Sequence, residues 1–213
     1  MGRPIAWLLA AVLCCALAAG AGSALAGKHR PYQRVTIFSD SVGAALNWDS
    51  TAHRIVEEGN RVLFELHPCG RLVQPGCISP APPSVLAVVR QLGTRIGPNV
   101  VVFIGYNDNP ATYRAGIPDV LSAMRKRGVQ HVLWLTLQPV YAQYRDINGA
   151  IADASRRYQG FMTMLAWGAY SHDHPSWFSP DGIHMTGIGA SAFATYLHDK
   201  LKALGLTGPK PLG

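Results

Sequence analysis

The chain has 213 residues, 48% of them hydrophobic and 15% charged, and a formal charge of +7 at neutral pH. This is the composition of a soluble globular protein. The basic residues are scattered, with no basic run interleaved with aromatics, which argues against a nucleic-acid partner and leaves a solvated surface or some affinity for anionic envelope polymers.

Residues 1–26 combine Arg3, a long apolar stretch and Ala24-Leu25-Ala26, an A-x-A cleavage site, and are predicted to be a signal peptide. Their Ala and Gly content makes the run only weakly hydrophobic, which disfavours an uncleaved anchor. Leu13 precedes Cys14 where a lipobox would place a small residue, so a lipoprotein is not expected. Cleavage leaves 187 residues, 27–213, enough for one well-buried domain and too few for two ordinary ones. The mature chain is then secreted, periplasmic or envelope-associated, with no membrane span after cleavage, in an oxidising compartment where Cys69 and Cys77 are expected to pair. Their short loop makes that bond worth about 2 kcal/mol.

Apolar and β-branched runs alternate along the mature chain with helical spacings. Strands are predicted at 35–38, 61–66 and 100–104, at 129–137 and, more weakly, at 161–165. Helical spacing links Val85, Leu86, Val88, Val89 and Leu92, then Ile117, Val120, Leu121 and Met124, then Ile147, Ile151 and Tyr158. A last helix over about 187–204 places Ile188, Phe193, Tyr196, Leu197 and Leu201 on its apolar side. Near-continuous apolar strands alternating with helices predict a parallel sheet covered on both faces. No internal repeat or interdomain linker interrupts the pattern. Trp134 falls in the fourth strand and reads as core.

In such a sheet, chemistry gathers where strands end and helices begin. Ser39-Asp40-Ser41-Val42-Gly43 follows the first strand. A serine in that turn exposes its hydroxyl near helical N–H groups, and the same composition also suits a helix cap. Gly105-Tyr106-Asn107-Asp108-Asn109-Pro110 follows the third strand; Asn107 offers two amide N–H donors, in a stretch that is also ordinary turn composition. Asp181-Gly182-Ile183-His184 precedes the last helix, with a carboxylate spaced to accept the histidine ring N–H and fix its tautomer. Together the three segments supply a nucleophile, an oxyanion donor and an oriented base at one sheet edge.

SDSV at 39–42, GYND at 105–108 and DGIH at 181–184 resemble, in order and approximate spacing, three blocks of the SGNH hydrolases, also called GDSL esterases and lipases. The resemblance spans the mature chain. It implies a three-layer α/β/α flavodoxin-like sandwich with about five parallel strands, and hydrolysis of acyl esters without metal or cofactor. Residue by residue, it implies Ser41 as nucleophile, His184 as base and Asp181 as the orienting carboxylate. The oxyanion hole it implies is formed by the Ser41 N–H, the Asn107 amide and a glycine N–H after the second strand. Gly70 is the candidate for that glycine and Gly76 the runner-up; with Gly70, a Cys69–Cys77 disulfide would brace the oxyanion loop. Ser39 departs from the family, which has glycine there.

Competing readings remain. An α/β-hydrolase would also use Ser, Asp and His in that order, but with its nucleophile after an interior strand and its acid and histidine on separate loops. A metal site among His172, Asp173, His174, Asp181 and His184 lacks regular ligand spacing. An SGNH-like module could hold glycans or envelope polymers without turnover, and the same residues could transfer an acyl group to a sugar. Trp177 and Phe178 fit either an acyl-pocket wall or packing. Short loops without a hydrophobic lid favour small acyl groups, such as acetyl on carbohydrate. The acyl chain, the alcohol and the oligomeric state are not legible.

Overall fold

The computed structural model describes residues 33–208; the predicted leader lies outside them. Five strands form one sheet: β1 (Gln33–Ser39), β2 (Asn60–Leu66), β3 (Asn99–Phe103), β4 (His131–Leu135) and β5 (Met162–Leu165). All pair in parallel, in the order β2-β1-β3-β4-β5. The β-branched run of β3 is buried along its whole length, as a strand covered on both faces requires. Its centre sets Val101 opposite Ile37 of β1 and Leu133 of β4.

The chain leaves β1 for β2 on one side, then crosses back to build β3, β4 and β5 on the other. Connections therefore diverge between the adjacent strands β1 and β3, and this opens a crevice at their carboxyl ends. The helices are α1 (Ala45–Trp48), α2 (Ser50–Glu57), α3 (Val85–Leu92), α4 (Pro110–Arg125), α5 (Ala142–Arg157), α6 (Trp167–Tyr170) and α7 (Gly187–Ala203). Side-chain oxygens of Asp49, Ser84, Asn109 and Thr186 accept first-turn N–H groups of α2, α3, α4 and α7, which satisfies donors that a helix start leaves unpaired. Pro110 opens α4, where its missing N–H costs nothing. No helix among the described residues is long and apolar enough to cross a membrane.

Trp134 is fully buried, as its place in the fourth strand suggests, and its Nε1 donates to Tyr113 Oη at 2.7 Å. Tyr113 in turn donates to the Ile104 carbonyl at 2.9 Å, so both buried polar tips are satisfied.

The helix expected to follow the Ser39–Gly43 turn is present but divided: α1 has four residues, and Asp49 ends it and caps α2, which breaks the apolar periodicity. One expectation needs correction. Ile188, assigned to the apolar side of the last helix, is 65% exposed in its first turn. There the helix is seated through Gly189, where a side chain would strike the Trp177 backbone.

The end of β1 departs from the resembling family in a defined way. Ser39 is buried; its hydroxyl donates to the Phe103 carbonyl at 2.7 Å and accepts the Gly43 N–H at 3.1 Å. It thus joins the ends of β1 and β3 and shapes the turn that follows β1. A Cβ on Gly43 would lie 2.5 Å from Ser39 Cβ and nearer still to its hydroxyl, while the next contact, Phe103 Cδ1, is 3.6 Å away. Gly43→Ala is expected to cost about 1–3 kcal/mol by overpacking. In a Ser39→Gly background the same substitution should cost much less, a non-additivity that urea unfolding of the four chains measures.

Candidate active site

Ser41 sits in the turn between β1 and α1, at the β1/β3 crevice. Its Oγ lies 2.9 Å from His184 Nε2. On the far side of the ring, His184 Nδ1 lies 2.6 Å from Asp181 Oδ2. The other carboxylate oxygen accepts the backbone N–H groups of Ile183 at 2.8 Å and His184 at 3.0 Å. Asp181 is therefore bound through both oxygens, and it presents one of them to the imidazole. With Nδ1 donating to Asp181, Nε2 is left to accept from the Ser41 hydroxyl.

The loop that carries the pair is closed on itself. Phe178 and Met185 form an isolated antiparallel bridge, the Ser179 N–H donates to the His184 carbonyl at 2.7 Å, and the Gly182 N–H donates to the Ser179 carbonyl at 2.9 Å. Gly182 takes φ +68° at the tip, a left-handed conformation that glycine adopts without steric cost. Burial acts to raise the Asp181 carboxyl, but hydrogen bonds from the His184 ring and from two backbone N–H groups outweigh it and hold the carboxyl below its ordinary range.

Asn107 stands beyond β3, half-buried, and its amide Nδ2 makes a long bond of 3.4 Å to the Gly70 carbonyl. Two further bonds lock its turn to the segment after β2. Arg71 Nε donates to the Asn107 carbonyl at 2.9 Å, and the carboxylate of Asp108 accepts the Leu72 N–H at 3.1 and 3.2 Å. Cys69 and Cys77 are joined as expected, with Cα atoms 5.4 Å apart. Both sulfurs lie against Asn107 Oδ1, at 3.9 and 3.8 Å. Cys69 has φ +60°, the one non-glycine residue with positive φ among the described residues, so the disulfide-closed loop holds a strained turn beside the amide.

The two glycine candidates are differently placed. Gly70 is buried next to Asn107, and its N–H donates to the His67 carbonyl at 2.8 Å; the Gly76 N–H donates to the Pro82 carbonyl at 2.8 Å. Both N–H groups thus have backbone acceptors, but only Gly70 also touches the Asn107 side chain. Trp177 stacks between Trp167 and His174, as packing, whereas Phe178 lines a cavity beside the 179–182 loop. Among the described residues, no three His, Cys, Asp or Glu side chains converge as metal ligands.

Asp40, between the two serines, is the residue that the motif reading passed over. It is fully buried, and its carboxylate accepts the Val42 N–H at 3.0 Å and the Tyr106 N–H at 3.3 Å. One side chain therefore ties the Ser41 turn to the Asn107 turn. An acid set among residues of a strand-end block is a sequence signal only once that block is known to be internal. Burial pushes the Asp40 carboxyl up to about 7 against the pull of hydrogen bonds from Val42, Tyr106 and Gly105, and pushes Asp108 up to about 6. The unfolded chain ionises Asp40 near 3.8, whereas the folded chain keeps the proton until about 7. Its contribution thus favours folding below pH 4 and is lost as the pH rises to 7, by roughly 4 kcal/mol across that window. In Asp40→Asn, the fall in stability between pH 4 and 7 should flatten; an unchanged slope in chemical denaturation across that range would show that the carboxyl does not titrate there.

No protein-family model matches the chain, and no curated protein does. Solved structures do. A carbohydrate esterase family 3 structure from Talaromyces cellulolyticus aligns with a TM-score of 0.56 at 14% identity, covering 81% of this chain and 97% of that one. The psychrotrophic esterase EstA from Pseudoalteromonas sp., solved with monoethylphosphonate as inhibitor, aligns with a TM-score of 0.58 at 9% identity over 81% and 98% of the two chains. A candidate SGNH hydrolase from Slackia heliotrinireducens aligns with a TM-score of 0.54 at 14% identity over 79% and 98%. These alignments take in nearly the whole of each solved chain, with the same parallel five-stranded sheet at the centre of this one. The chain has the SGNH hydrolase fold.

Proposed function

We propose that the protein is an exported serine esterase of the SGNH hydrolase family, acting on short-chain acyl esters through Ser41, His184 and Asp181. The observation that carries this reading is the unbroken relay from Ser41 Oγ to His184 Nε2, 2.9 Å, and from His184 Nδ1 to Asp181, 2.6 Å, at the crevice between β1 and β3. Such a relay lets a weak hydroxyl nucleophile lose its proton as it attacks.

In the first step His184 Nε2 takes the Ser41 proton while Oγ bonds to the ester carbonyl carbon. Negative charge develops on the carbonyl oxygen, which is held by the Ser41 N–H and the Asn107 amide; the long Asn107–Gly70 bond leaves that amide weakly committed. Gly70 is the third donor in this reading, its N–H turning from the His67 carbonyl toward the oxyanion. Collapse of the tetrahedral species expels the alcohol, which leaves with the proton from His184. Water then gives a proton to His184 as its oxygen bonds to the acyl carbon; the carbon–Oγ bond breaks, His184 returns the proton to Ser41 Oγ, and the acid leaves. None of these steps calls on a metal or cofactor. A carbohydrate esterase and an acetyl esterase with bound acetate share the fold, and they support a short acyl group. Export follows from the predicted leader, and the Cys69–Cys77 bond suits an oxidising compartment. The substrate pair in this reading is a small or carbohydrate acyl ester and water, without nucleic acid.

Ser41→Ala should lower kcat/KM on phenyl acetate by roughly 10³-fold or more with an unchanged circular dichroism spectrum. Labelling by a fluorophosphonate probe should vanish with it. Near-normal turnover in that variant would falsify the assignment, and a wild-type chain that neither labels nor turns over esters would instead be a binding module. Replacing Cys69 and Cys77 by serine should reduce kcat as well as stability, because Asn107 rests on both sulfurs; a chain that loses stability alone would remove the disulfide from the site.

A further inference from the structure

Helices α4 and α5 pack side by side, but small residues keep their surfaces from closing fully. α5 turns Ala150 and Ala154, four residues apart on one face, toward Ile117 and Pro118 of α4, and a groove is left between the helices. It consists of two cavities, of about 220 and 260 Å³, that meet at Pro118 and Tyr158, which line both. Pro118 stands inside α4 and has no N–H, so the carbonyl of Arg114 beside it lacks its helical donor. None of Ser41, Asn107, Asp181 or His184 lines the groove.

The groove is basic. Arg114 and Arg157 line the first cavity and Arg125 and Lys126 the second, against one acid, Asp153. That carboxylate is already taken: Arg114 Nη1 donates to one oxygen at 2.6 Å, and Arg156 Nη2 donates to the other. Among the described residues, Arg125, Lys126 and Arg157 have no carboxylate within ion-pair distance. Arg125 is nonetheless held in place, its guanidinium carbon 4.4 Å over the Phe161 ring. Basic residues in the last turn of a helix offset its dipole, which accounts for part of this charge. Arg114 stands in the second turn of α4, where the dipole gives a cation no such support.

The lining also states the shape of the anion. Arginine forks pair with carboxylates through two hydrogen bonds at once. Between them, Pro118 and the partly buried Tyr158 form an apolar floor that suits the face of a ring, and the Arg114 carbonyl can accept from a ring hydroxyl. A polyphosphate brings charge without such a face, and a neutral sugar brings the face without charge; a uronate ring has both. We propose that the groove between α4 and α5 is a docking site for an acidic polysaccharide, with uronate rings on Tyr158 and Pro118 and their carboxylates on Arg157, Arg125 and Lys126. The site is separate from Ser41 and performs no chemistry: it holds the protein to an anionic matrix. It does not rest on the esterase reading.

The test is fluorescence anisotropy of labelled hexagalacturonate with the full chain. The wild type should bind it, more weakly as salt is raised. Arg125→Glu combined with Arg157→Glu should weaken binding about tenfold or more, with an unchanged circular dichroism spectrum. Arg34→Glu combined with Arg54→Glu makes the same change in net charge at exposed positions outside the groove, and should leave the affinity nearly as it was. Tyr158→Ala should weaken hexagalacturonate about fivefold and leave the weaker binding of inorganic tripolyphosphate, which has no ring, unchanged. Four results would each overturn the proposal: no binding by the wild type, equal losses in the two charge-reversed chains, equal losses of both ligands in Tyr158→Ala, or binding of tripolyphosphate or duplex DNA as tight as that of the uronate. Ester turnover does not enter these readouts. A chain that hydrolyses no ester can therefore still bear out the groove, and a chain that binds no uronate leaves the esterase reading as it stood.

Discussion

A single buried carboxylate holds the site together. Asp40 belongs to the turn after β1 but accepts an N–H from the turn after β3, so the crevice that chain topology opens between these strands is fastened across its mouth. That bond ties the turn of Ser41 directly to the turn of Asn107, beyond the Ser39–Phe103 bond that joins the strand ends. With it, the relative position of hydroxyl and amide is set by the sheet register, the stiffest element of the fold. A second buried carboxylate, Asp108, extends the same device to the segment after β2. Three successive strand ends are thus stitched by acids that never face solvent, while the histidine arrives from above on a loop of its own.

The electrostatics divide along the same line. Asp40 and Asp108 are internal, and backbone N–H groups offset only part of the cost of ionising them, so both carboxyls are pushed up. Asp181 and His184 are nearly half exposed, at 45% and 49% for their side chains. In the first pair the carboxylate serves architecture, in the second it orients a ring. Exposure at the second pair keeps Coulomb attraction weak and leaves its geometry to hydrogen bonds: both oxygens of Asp181 are occupied, and the loop behind it is closed by backbone bonds.

Much of this was legible in the residues. The run VVVFI announces a central strand because only a strand buried on both faces tolerates unbroken β-branched residues, and two strand-end blocks with a third before the last helix mark the candidate site. What could not be read depends on long-range packing. No local pattern shows that Asp40 accepts an N–H from Tyr106, or that Gln138 is buried with a vacant acceptor, because both facts join segments far apart in the chain. Ile188 misled for a related reason: helical periodicity gives a face, but in the first turn of α7 Ile188 on that face meets solvent. Gly70 was selected by position after β2, and its contact with Asn107 comes from the stitching of loops, which the spacing alone does not contain.

Ser39 and Gly43 occupy what is in effect one shared volume, four residues apart in the chain and filled by a single hydroxymethyl group. The two positions therefore cannot drift separately. A serine at the first excludes every larger residue at the second, and a glycine at the first would release that space. The turn that carries Ser41 thus has room for one side chain between two positions, and the tolerance of each is set by the occupant of the other.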